Sequence, residues 1–399
     1  MSDIKATDLR DVQDAIQAAV AAKTRLEVRA SGTKQHLGVA AAYDHVLDVS
    51  AMSGIIDYQP EELVMTLRAG TPMDQVEKAL ADARQMLAFE PPSMTKILGE
   101  ATAGVRGSIG GIIATNLSGP RRLTAGAARD FLLGFEAISG RGEQFKSGGK
   151  VMKNVTGYDL SKLMCGSYGT LAVVDEITLK TIPAPETSRS LLVGADSFSE
   201  AVKLIATIFA TPHEPGSAAI LPQPIAAGEQ ADTGNAFTIV IRLEGIEPSV
   251  NDRSQHLQSG FGGESLDDMA SQALWLRIRD VQPLAERPQD IWKVSCAPSD
   301  APRLIDSLDL RQEMRFFADW AGGLIWMSSA APDLGAQLRS AVARLNSGFA
   351  MLVRDVGATK QKVAPLQPLT GGMFELHKRV KASFDPLGVL NYGRMHEGV

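Results

Sequence analysis

Glycine is concentrated in three short blocks within the first 180 residues, and these blocks constrain the fold more than any other feature of the chain. The first is Arg29-Ala30-Ser31-Gly32-Thr33-Lys34, which directly follows a strand-like run. The second extends over 104–119 and the third over 154–174. Turns of small residues expose consecutive backbone N–H groups that bind phosphate, and glycine lets the backbone approach a ligand closely. Taken singly, the first block could be an ordinary turn after a strand, and the second a place where backbone packs tightly on backbone.

Familiar nucleotide-binding and catalytic sequences are absent from the chain. It has no G-x-G-x-x-G and no G-x-S-x-G, and Gly149-Lys150 lacks both the glycine spacing and the Ser/Thr of a phosphate loop. Its six histidines show no metal-ligand spacing, and its two cysteines, Cys165 and Cys296, are too few for an iron–sulfur centre. These absences argue against a Rossmann dinucleotide fold, a phosphate-loop NTPase, a serine hydrolase of that type and a metal centre.

The composition is that of an ordinary globular protein, with 44% hydrophobic and 22% charged residues. The net charge of −6 argues against a general nucleic-acid-binding protein, which is usually basic. No apolar run approaches the ~18 residues that a membrane span needs, no signal peptide is recognised, and the low cysteine content suits a reducing compartment. We therefore expect a cytoplasmic protein whose membrane association, if any, is peripheral and through partners.

Composition divides the chain into three regions, which predict its domains. Residues 1–185 hold the glycine-rich blocks, and 186–370 contain all four tryptophans. Residues 371–399 return to a pattern punctuated by glycine and proline. The Ile-Pro-Ala-Pro sequence that begins at Ile182 suits a linker at the first boundary.

Hydrophobic spacing predicts a set of helices and strands. In the first region, helices are predicted over 8–22, 71–84 and 160–164, the second with Thr71 as its N-cap and Pro72 in its first turn. Strands are predicted there over 26–30, 46–49, 63–68 and a run ending at 179. In the middle region, strands are predicted at 237–243, 323–327 and 349–353, and helices at 266–281, 301–314 and 333–346. The last region is predicted to hold a helix over 372–383.

Taken together, the order and spacing of the three blocks resemble the FAD-binding domain of the vanillyl-alcohol-oxidase superfamily, also called the PCMH type. In that superfamily the first two blocks embrace the FAD pyrophosphate, and a strand like 166–174 passes near the flavin and adenosine. The segment 384–391 matches the superfamily's closing segment. The resemblance implies an α+β fold: a two-subdomain PCMH-type FAD-binding domain (1–185), an α/β cap domain (186–370), and a C-terminal segment (371–399) that returns to the FAD domain.

A closer resemblance is to the FAD-binding E subunits of bacterial glycolate oxidases. It rests on short sequences that are not general to the superfamily: Gly32-Thr33-Lys34, Glu90-Pro91-Pro92, Ser118-Gly119-Pro120-Arg121-Arg122, Arg129-Asp130-Phe131, Gly149-Lys150-Val151-Met152-Lys153-Asn154 and Gly157-Tyr158-Asp159-Leu160. Tyr168 replaces the glutamate that is usual in the wider superfamily, and Ala172 replaces its glycine. Tyr168 fits the E-subunit pattern. Residues 186–370 carry little that matches.

The resemblance implies a set of FAD-binding residues. They are Arg29, Ala30, Ser31, Gly32, Thr33, Lys34, Pro92, Gly107, Ser108, Ile109, Gly110, Gly111, Ala114, Ser118, Gly119, Arg122 and Val173. One of Arg121, Arg122 and Arg129 is expected near the pyrophosphate or the electron-accepting edge of the flavin, with a solvated basic surface or an Arg129–Asp130 pair as the alternatives. Covalent flavin attachment usually uses a His or Cys beside the ring. Because 29–34 contain neither, FAD is expected to bind non-covalently.

The resemblance also implies a function and partners. The chain is expected to be the FAD-binding subunit of a glycolate oxidase (glycolate dehydrogenase) complex, which oxidises glycolate to glyoxylate. Flavin electron transfer would take place in this chain. Its partners would be the FAD-linked D subunit and the iron–sulfur F subunit, in a complex that is cytoplasmic or peripheral on the inner membrane.

No catalytic residue is assigned from the sequence. Related FAD-linked hydroxy-acid dehydrogenases carry a His-rich cap motif near Gly-Asp-Gly-Asn, which is absent here. Turnover of the substrate is therefore expected on a partner, although Arg277 or Arg279 could hold a substrate carboxylate. Two alternatives remain open: a self-sufficient FAD-dependent 2-hydroxy-acid dehydrogenase, and a non-redox assembly subunit.

Overall fold

The computed structural model describes residues 2–98, 106–149, 157–308, 314–331 and 333–399. Parts of the glycine-rich blocks lie outside these residues, namely 104–105 of the second and 154–156 of the third, together with the adjoining 150–153. The chain divides into two compact units. The first comprises Met1–Ser118, Gly126–Ala184 and Pro368–Val399, and the second comprises Gly119–Ala125 and Pro185–Gln367.

One half of the first unit is a three-stranded parallel sheet with an amphipathic helix. Its elements, in chain order, are β1 (Ser2–Lys5), α1 (Leu9–Ala22), β2 (Leu26–Arg29) and β3 (His45–Asp48). The strands lie in the order β1-β3-β2. α1 begins where Asp8 accepts hydrogen bonds from the amides of Arg10 and Asp11. Val12 and Ile16 lie on its buried face, as helical spacing predicts.

The other half of the first unit is built on an antiparallel sheet. Its strands are β4 (Ile55–Gln59), β5 (Val64–Arg68), β7 (Leu132–Ser139), β8 (Gln144–Gly148) and β9 (Ala172–Lys180). They lie in the order β4-β5-β9-β7-β8. A separate pairing joins β6 (Gln85–Met86) and β10 (Ile182–Pro183). The helices are α2 (Met73–Asp82), α3 (Thr95–Leu98), α4 (Ile109–Thr115), α6 (Ala128–Phe131), α7 (Leu160–Met164) and α15 (Gly371–Phe384).

The start of α2 differs from the prediction. Pro72, rather than Thr71, is the N-cap residue, and the helix begins at Met73 with no side-chain cap. The Thr71 hydroxyl instead donates to the carbonyl oxygen of Arg68 at 2.6 Å and accepts from the amide of Gly54 at 2.9 Å. The predicted capping role is wrong because this hydroxyl joins two loops that are distant in sequence.

The second unit is built on an antiparallel sheet. Its strands are β11 (Thr187–Ala195), β12 (Ser217–Pro222), β13 (Phe237–Gly245), β14 (Glu264–Leu266), β15 (Asp290–Cys296), β16 (Arg315–Asp319), β17 (Leu324–Ser329) and β18 (Gly348–Arg354). They lie in the order β14-β11-β13-β12-β16-β17-β15-β18. The helices are α5 (Arg122–Ala125), α8 (Phe198–Phe209), α9 (Gln223–Gly228), α10 (Glu247–Phe261), α11 (Asp268–Arg279), α12 (Gln282–Ala285), α13 (Ala301–Asp306) and α14 (Leu334–Ala343). Alternate strand residues such as Val294 and Ile325 share one core with Ile205 of α8 and Leu257 of α10.

Most predicted elements of the second unit are present, with two corrections. The strands at 237–243, 323–327 and 349–353 correspond to β13, β17 and β18, and the helix at 333–346 to α14. The helix predicted from Leu266 begins at Asp268 instead, because Leu266 pairs with Ser190 in the sheet. The helix predicted over 301–314 ends at Asp306, and Met314 precedes β16. Residues 309–313 lie outside the described chain.

The remaining predicted helices are confirmed. α1, α7 and α15 correspond to the predictions at 8–22, 160–164 and 372–383. In the part of the chain that the structure describes, no helix combines the length and the apolar composition that crossing a membrane requires.

Candidate functional site

A large cavity in the first unit brings together residues from all three glycine-rich blocks. It encloses about 900 Å³ of space, part of it open to solvent. Most of the residues predicted to bind FAD line it: Arg29, Ala30, Ser31, Gly32, Thr33, Lys34, Ser108, Gly110, Gly111, Ala114 and Val173.

The loop after β2 has backbone N–H groups that the protein does not use. Among the described residues, the N–H groups of Ser31, Gly32, Thr33 and Lys34 have no acceptor in the protein. Gly32 has a φ of +71°, which glycine adopts without strain. Consecutive N–H groups in such a turn form a concave anion site. The loop therefore keeps donors available for a phosphate group.

Lys34 is a buried cation with no counter-ion among the described residues. Its ammonium lies 3.2 Å from the hydroxyl oxygen of Thr33, and no carboxylate of the described residues forms an ion pair with it. Burial lowers the pKa of Lys34 to about 8, because loss of water disfavours the charged form. An anion bound beside the ammonium would offset that cost. Lys34 is therefore the side chain best suited to contact a diphosphate.

The second block contributes both a cavity wall and a backbone packing contact. The amide of Gly110 donates to the carbonyl oxygen of Ala69 at 2.8 Å, and a Cβ at Gly110 would lie 2.7 Å from that oxygen. Glycine is thus required there by tight packing. A Cβ at Gly107 would instead lie 2.6 Å from the Lys34 ammonium. The packing interpretation of the block is correct at Gly110, and ligand binding by the block stays a prediction.

Asn391 joins two walls of the cavity. Its side-chain oxygen accepts from the amide of Val28 at 2.9 Å, and its side-chain nitrogen donates to the carbonyl of Tyr168 at 2.8 Å. Asn391 has a φ of +42°, a conformation that asparagine adopts more readily than most residues. Arg394 donates to the backbone carbonyl of Lys34 at 2.8 Å. The C-terminal segment thus holds the first and third blocks in place.

A buried ion pair fastens this C-terminal segment. The Lys381 ammonium lies 2.7 Å from a carboxylate oxygen of Asp385, and both side chains are almost fully buried. Lys381 also donates to the carbonyls of Thr170 and Leu390 at 2.6 and 2.8 Å. Asp385 accepts from the amides of Val389 and Leu390 at 2.9 and 2.8 Å. The pair is fully hydrogen-bonded, so it tolerates burial.

The remaining wall of the cavity is mainly apolar. It includes Ile113, Met164, Ala172, Val173 and Ile177. Burial raises the pKa of Tyr168 to about 12, so its phenol stays protonated at neutral pH. Unused N–H donors, a buried ammonium and an apolar wall together fit a ligand that has a diphosphate and flat aromatic rings. FAD is such a ligand, and its residues of contact would be 31–34 for the diphosphate and the apolar wall for the rings.

Some predicted FAD-binding residues lie outside the lining of this cavity. They are Pro92, Gly107, Ile109, Ser118, Gly119 and Arg122. The Ser118 hydroxyl accepts from the amide of Ala128 at 3.0 Å. Gly119 and Arg122 belong to the second unit, where the Arg122 guanidinium lies over the ring of Trp320 at 4.2 Å. FAD contact by these six residues stays a prediction.

Sequence reasoning missed several wall residues, namely Gln35, Thr115, Ser167, Tyr168, Gly169, Asn391 and Arg394. Tyr168 and Asn391 stand inside segments that carried the family resemblance, which is the signal that could have found them. Arg394 follows that segment by three residues, and nothing in its spacing marks it.

A curated relative matches nearly the whole chain. The chain is 38% identical over 386 residues to glycolate oxidase subunit GlcE of Escherichia coli strain K12, covering 96% of this chain and 95% of the relative. The chain belongs to the GlcE family of glycolate oxidase subunits. A family model described as an FAD binding domain also matches residues 3–148, which contain the first two glycine-rich blocks of this GlcE-family chain.

More distant relatives share part of the GlcE-family chain. Glycolate oxidase subunit GlcD of Bacillus subtilis strain 168 is 32% identical over 179 residues, covering 45% of this chain and 36% of the relative. D-lactate dehydrogenase of Anaerostipes hadrus is 26% identical over 276 residues, covering 68% and 54%. Among solved structures, alkyldihydroxyacetonephosphate synthase has a TM-score of 0.69 at 14% identity, covering 98% of this chain and 75% of the other. That likeness shows a shared fold.

These findings confirm the predicted superfamily, cofactor and general activity. The GlcE-family chain has the α+β fold of PCMH-type proteins, its cofactor is FAD, and it is an oxidoreductase subunit. The non-covalent attachment of FAD, the set of contacting residues and the domain boundaries stay predictions.

Gly107→Val is expected to abolish FAD binding in the GlcE-family chain. Gly107 has a φ of +91°, and a Cβ there would lie 2.6 Å from the Lys34 ammonium and 2.7 Å from the Thr33 hydroxyl. Gly157→Val is the matched control, because Gly157 has a φ of +81° and no atom of the described residues lies within 4 Å of its Cβ position. Both variants incur similar backbone strain, but only a side chain at position 107 would press on Lys34 and Thr33, which line the cavity. The flavin absorbance of the purified variants measures FAD content, and a flavin-replete Gly107→Val protein would contradict this placement.

Proposed function

We propose that this chain is the FAD-binding subunit of a complex that oxidises glycolate to glyoxylate. Its proposed partners are an FAD-linked subunit of the GlcD type and an iron–sulfur subunit, in a complex that is cytoplasmic or peripheral on the inner membrane. The observation that carries the proposal is the near full-length similarity to a glycolate oxidase subunit. The cavity supports it, because its donors suit the diphosphate of FAD.

Bound FAD would supply the two-electron chemistry of the reaction, and the chain's own residues bind and orient it. The N–H groups of 31–34 and the Lys34 ammonium would hold the diphosphate. Lys34 is mainly protonated at neutral pH, since its pKa is about 8. Asn391 fixes the distance between two walls through its hydrogen bonds to Val28 and Tyr168. The apolar wall would exclude water from the rings.

The proposal places electron transfer in this chain and leaves the turnover of glycolate to the complex. In the described part of the chain, no histidine lines the cavity, so no general base is assigned there. A partner chain would then supply the base. D-lactate dehydrogenase of Anaerostipes hadrus is 26% identical to this chain over the aligned residues. A self-sufficient dehydrogenase is therefore the alternative function.

Flavin spectroscopy of the chain, alone and in complex, tests the proposal. The purified chain is expected to show a flavin band that anaerobic glycolate leaves unchanged. The chain co-purified with its two proposed partners is expected to lose that band when glycolate is added. A complex assembled with the Gly107→Val variant is expected to turn over glycolate at least tenfold more slowly, while the Gly157→Val complex retains the wild-type rate.

Two outcomes would contradict the proposal in different ways. A flavin-free Gly107→Val chain that supports full turnover in the complex would show that this chain is a scaffold. Bleaching of the isolated chain by glycolate would show that it is a self-sufficient dehydrogenase.

A further inference from the structure

The wall of the large cavity carries more basic than acidic side chains. The described residues that line it include three basic residues, Arg29, Lys34 and Arg394, and one acidic residue, Glu27. Arg29 lies 3.9 Å from a carboxylate oxygen of Asp3, whereas neither Lys34 nor Arg394 forms an ion pair with a carboxylate of the described residues. A diphosphate has a negative charge on each phosphate. The wall therefore offers such a ligand a second unpaired cation besides Lys34.

The acidic residue of the wall does not pair with this second cation. Burial raises the pKa of the Tyr43 phenol, Arg394 opposes this effect and Glu27 adds to it, so both charges lie near that phenol. No ion pair joins Glu27 to a cation of the described residues. A carboxylate accepts hydrogen bonds, so Glu27 suits the hydroxyl groups of a ligand. FAD carries such hydroxyl groups on its ribityl and ribose parts, separate from its phosphates.

The guanidinium of Arg394 is only partly used by the protein. Within the described residues, its hydrogen bond runs from Nη2 to the backbone carbonyl oxygen of Lys34, at 2.8 Å. An arginine side chain has several N–H groups in a planar fork and stays protonated in proteins. Most N–H groups of Arg394 therefore have no acceptor among the described residues, and they remain available to a ligand in the cavity.

The backbone of Arg394 is fixed against the turn that follows the first loop. Its carbonyl oxygen accepts from the amide of Val39 at 2.8 Å, and its amide donates to the carbonyl oxygen of Asn391 at 3.1 Å. Gly38 has a φ of +86°, and a Cβ there would collide with the same carbonyl oxygen of Arg394. The side chain thus starts from a fixed point and reaches the last residue of the 31–34 turn.

The charge of Arg394 also acts on a tyrosine of the cavity wall. Burial raises the pKa of the Tyr168 phenol to about 12, and Arg394 acts in the opposite direction. Such an effect requires the two groups to lie close together. Because Tyr168 and Arg394 both line the cavity, the guanidinium lies on the cavity side of the C-terminal segment. It is beside the unused N–H groups of 31–34 and beside the Tyr168 phenol.

We propose that Arg394 binds the diphosphate of FAD and supplies, beside Lys34, the second cation of that site. The proposal rests on the placement of FAD in this cavity and is independent of the substrate that the complex oxidises. A guanidinium can donate two parallel hydrogen bonds to one phosphate, whereas an ammonium acts as a point charge. Arg394 would therefore orient the diphosphate as well as attract it.

Titration of the full-length, FAD-free protein with FAD, and competition of ADP against FAD, test the contact. ADP carries the adenosine and diphosphate of FAD and lacks the flavin. Arg394→Gln removes the charge and retains an amide that can donate to the Lys34 carbonyl. It is expected to weaken FAD and ADP binding by the same factor, about tenfold or more. Arg394→Lys keeps the charge without the fork, so its affinities should lie between those of the wild type and Arg394→Gln.

Two further measurements distinguish this contact from an indirect effect on the fold. The urea midpoint of the FAD-free Arg394→Gln protein is expected to equal that of the wild type, because the contact forms only when the ligand binds. Arg141→Gln is the matched control. The exposed Arg141 also donates to a backbone carbonyl, that of Ala382 at 3.5 Å, but it lies outside the cavity lining. This control is expected to leave FAD and ADP affinities unchanged.

Any of three results would overturn the proposed contact. The first is an FAD affinity that Arg394→Gln leaves unchanged. The second is ADP that competes equally well in the wild type and the variant, or in neither. The third is a lowered urea midpoint of the FAD-free variant, which would assign Arg394 to the fold. Gly107→Val tests the placement of FAD, and glycolate turnover tests the complex, so both can stand if Arg394 fails.

Discussion

Lys34→Met is expected to weaken FAD binding while it stabilises the FAD-free protein. The Lys34 ammonium is buried with no carboxylate partner in the part of the chain that the structure describes, and burial lowers its pKa to about 8. Loss of its contact with the diphosphate is expected to weaken FAD binding roughly ten- to a hundredfold, the value of one hydrogen bond to a charged group. Methionine has similar length and no charge. The FAD-free variant should gain up to about 3 kcal/mol in its free energy of unfolding at pH 7.

The pH dependence of the FAD-free protein follows from the lowered pKa of Lys34. Below pH 8 the lysine is protonated in both the folded and unfolded states, so the cost of burying the charge is fully present. Between pH 8 and 10.5 the unfolded chain binds more protons than the folded protein, so wild-type stability rises with pH. The stability gained by Lys34→Met is therefore largest at or below pH 8 and shrinks as the pH rises.

Urea unfolding of the FAD-free proteins at pH 7 and 9.5, with FAD titrations at pH 7, measures both effects. Lys78→Met is the control, because Lys78 is exposed and pairs with the exposed Asp82 on the same helix. Lys78→Met is expected to change neither the free energy of unfolding nor the FAD affinity appreciably. If the Lys34→Met protein binds FAD as tightly as the wild type, Lys34 does not contact the diphosphate.

The residues of the first loop could be predicted because their function depends on local geometry. A turn such as 31–34 needs small residues and one glycine, and a cation at its end adds charge, so the pattern is visible in the sequence. The structure places these residues around the cavity. It adds what a sequence cannot show, namely that no described carboxylate forms an ion pair with the Lys34 ammonium.

The residues that complete the site could not be predicted because their contacts are distant in the chain. Asn391 bonds to Val28 across 363 positions, and Arg394 bonds to Lys34 across 360. No spacing rule links such residues. The assignment of Gly119–Ala125 to the second unit could not be predicted for the same reason, because both flanking segments belong to the first unit.

Errors in the predicted helix boundaries also arise from contacts between segments that are distant in the chain. Thr71 precedes a proline and a helical run, which is a valid local signal for an N-cap, but its hydroxyl is engaged by Gly54 and Arg68. Leu266 continues the apolar pattern of α11, yet it pairs with Ser190 in the sheet. In both cases a hydrogen bond to a distant segment outweighs a local preference.

Lys381→Met is expected to lower the free energy of unfolding by about 3–5 kcal/mol, the usual cost of removing one partner from a buried ion pair. The Asp385 carboxylate would remain buried, and its donors among the described residues would be the amides of Val389 and Leu390. The carbonyls of Thr170 and Leu390 would also lose the ammonium. Because the segment that carries Asn391 begins here, FAD affinity should fall as well. Urea unfolding and FAD titration measure the two effects.

Two further variants distinguish the buried pair from a general effect on α15. Lys378→Met alters a half-exposed lysine one turn earlier, whose partner Glu375 is also exposed, and should change stability by less than about 1 kcal/mol. Lys381→Met combined with Asp385→Asn removes the uncompensated charge while an amide oxygen remains to accept from the backbone. The double variant should therefore be more stable than Lys381→Met alone. If it is less stable, the cost arises from lost packing and not from an unpaired carboxylate, and the ion pair is not what fastens the C-terminal segment.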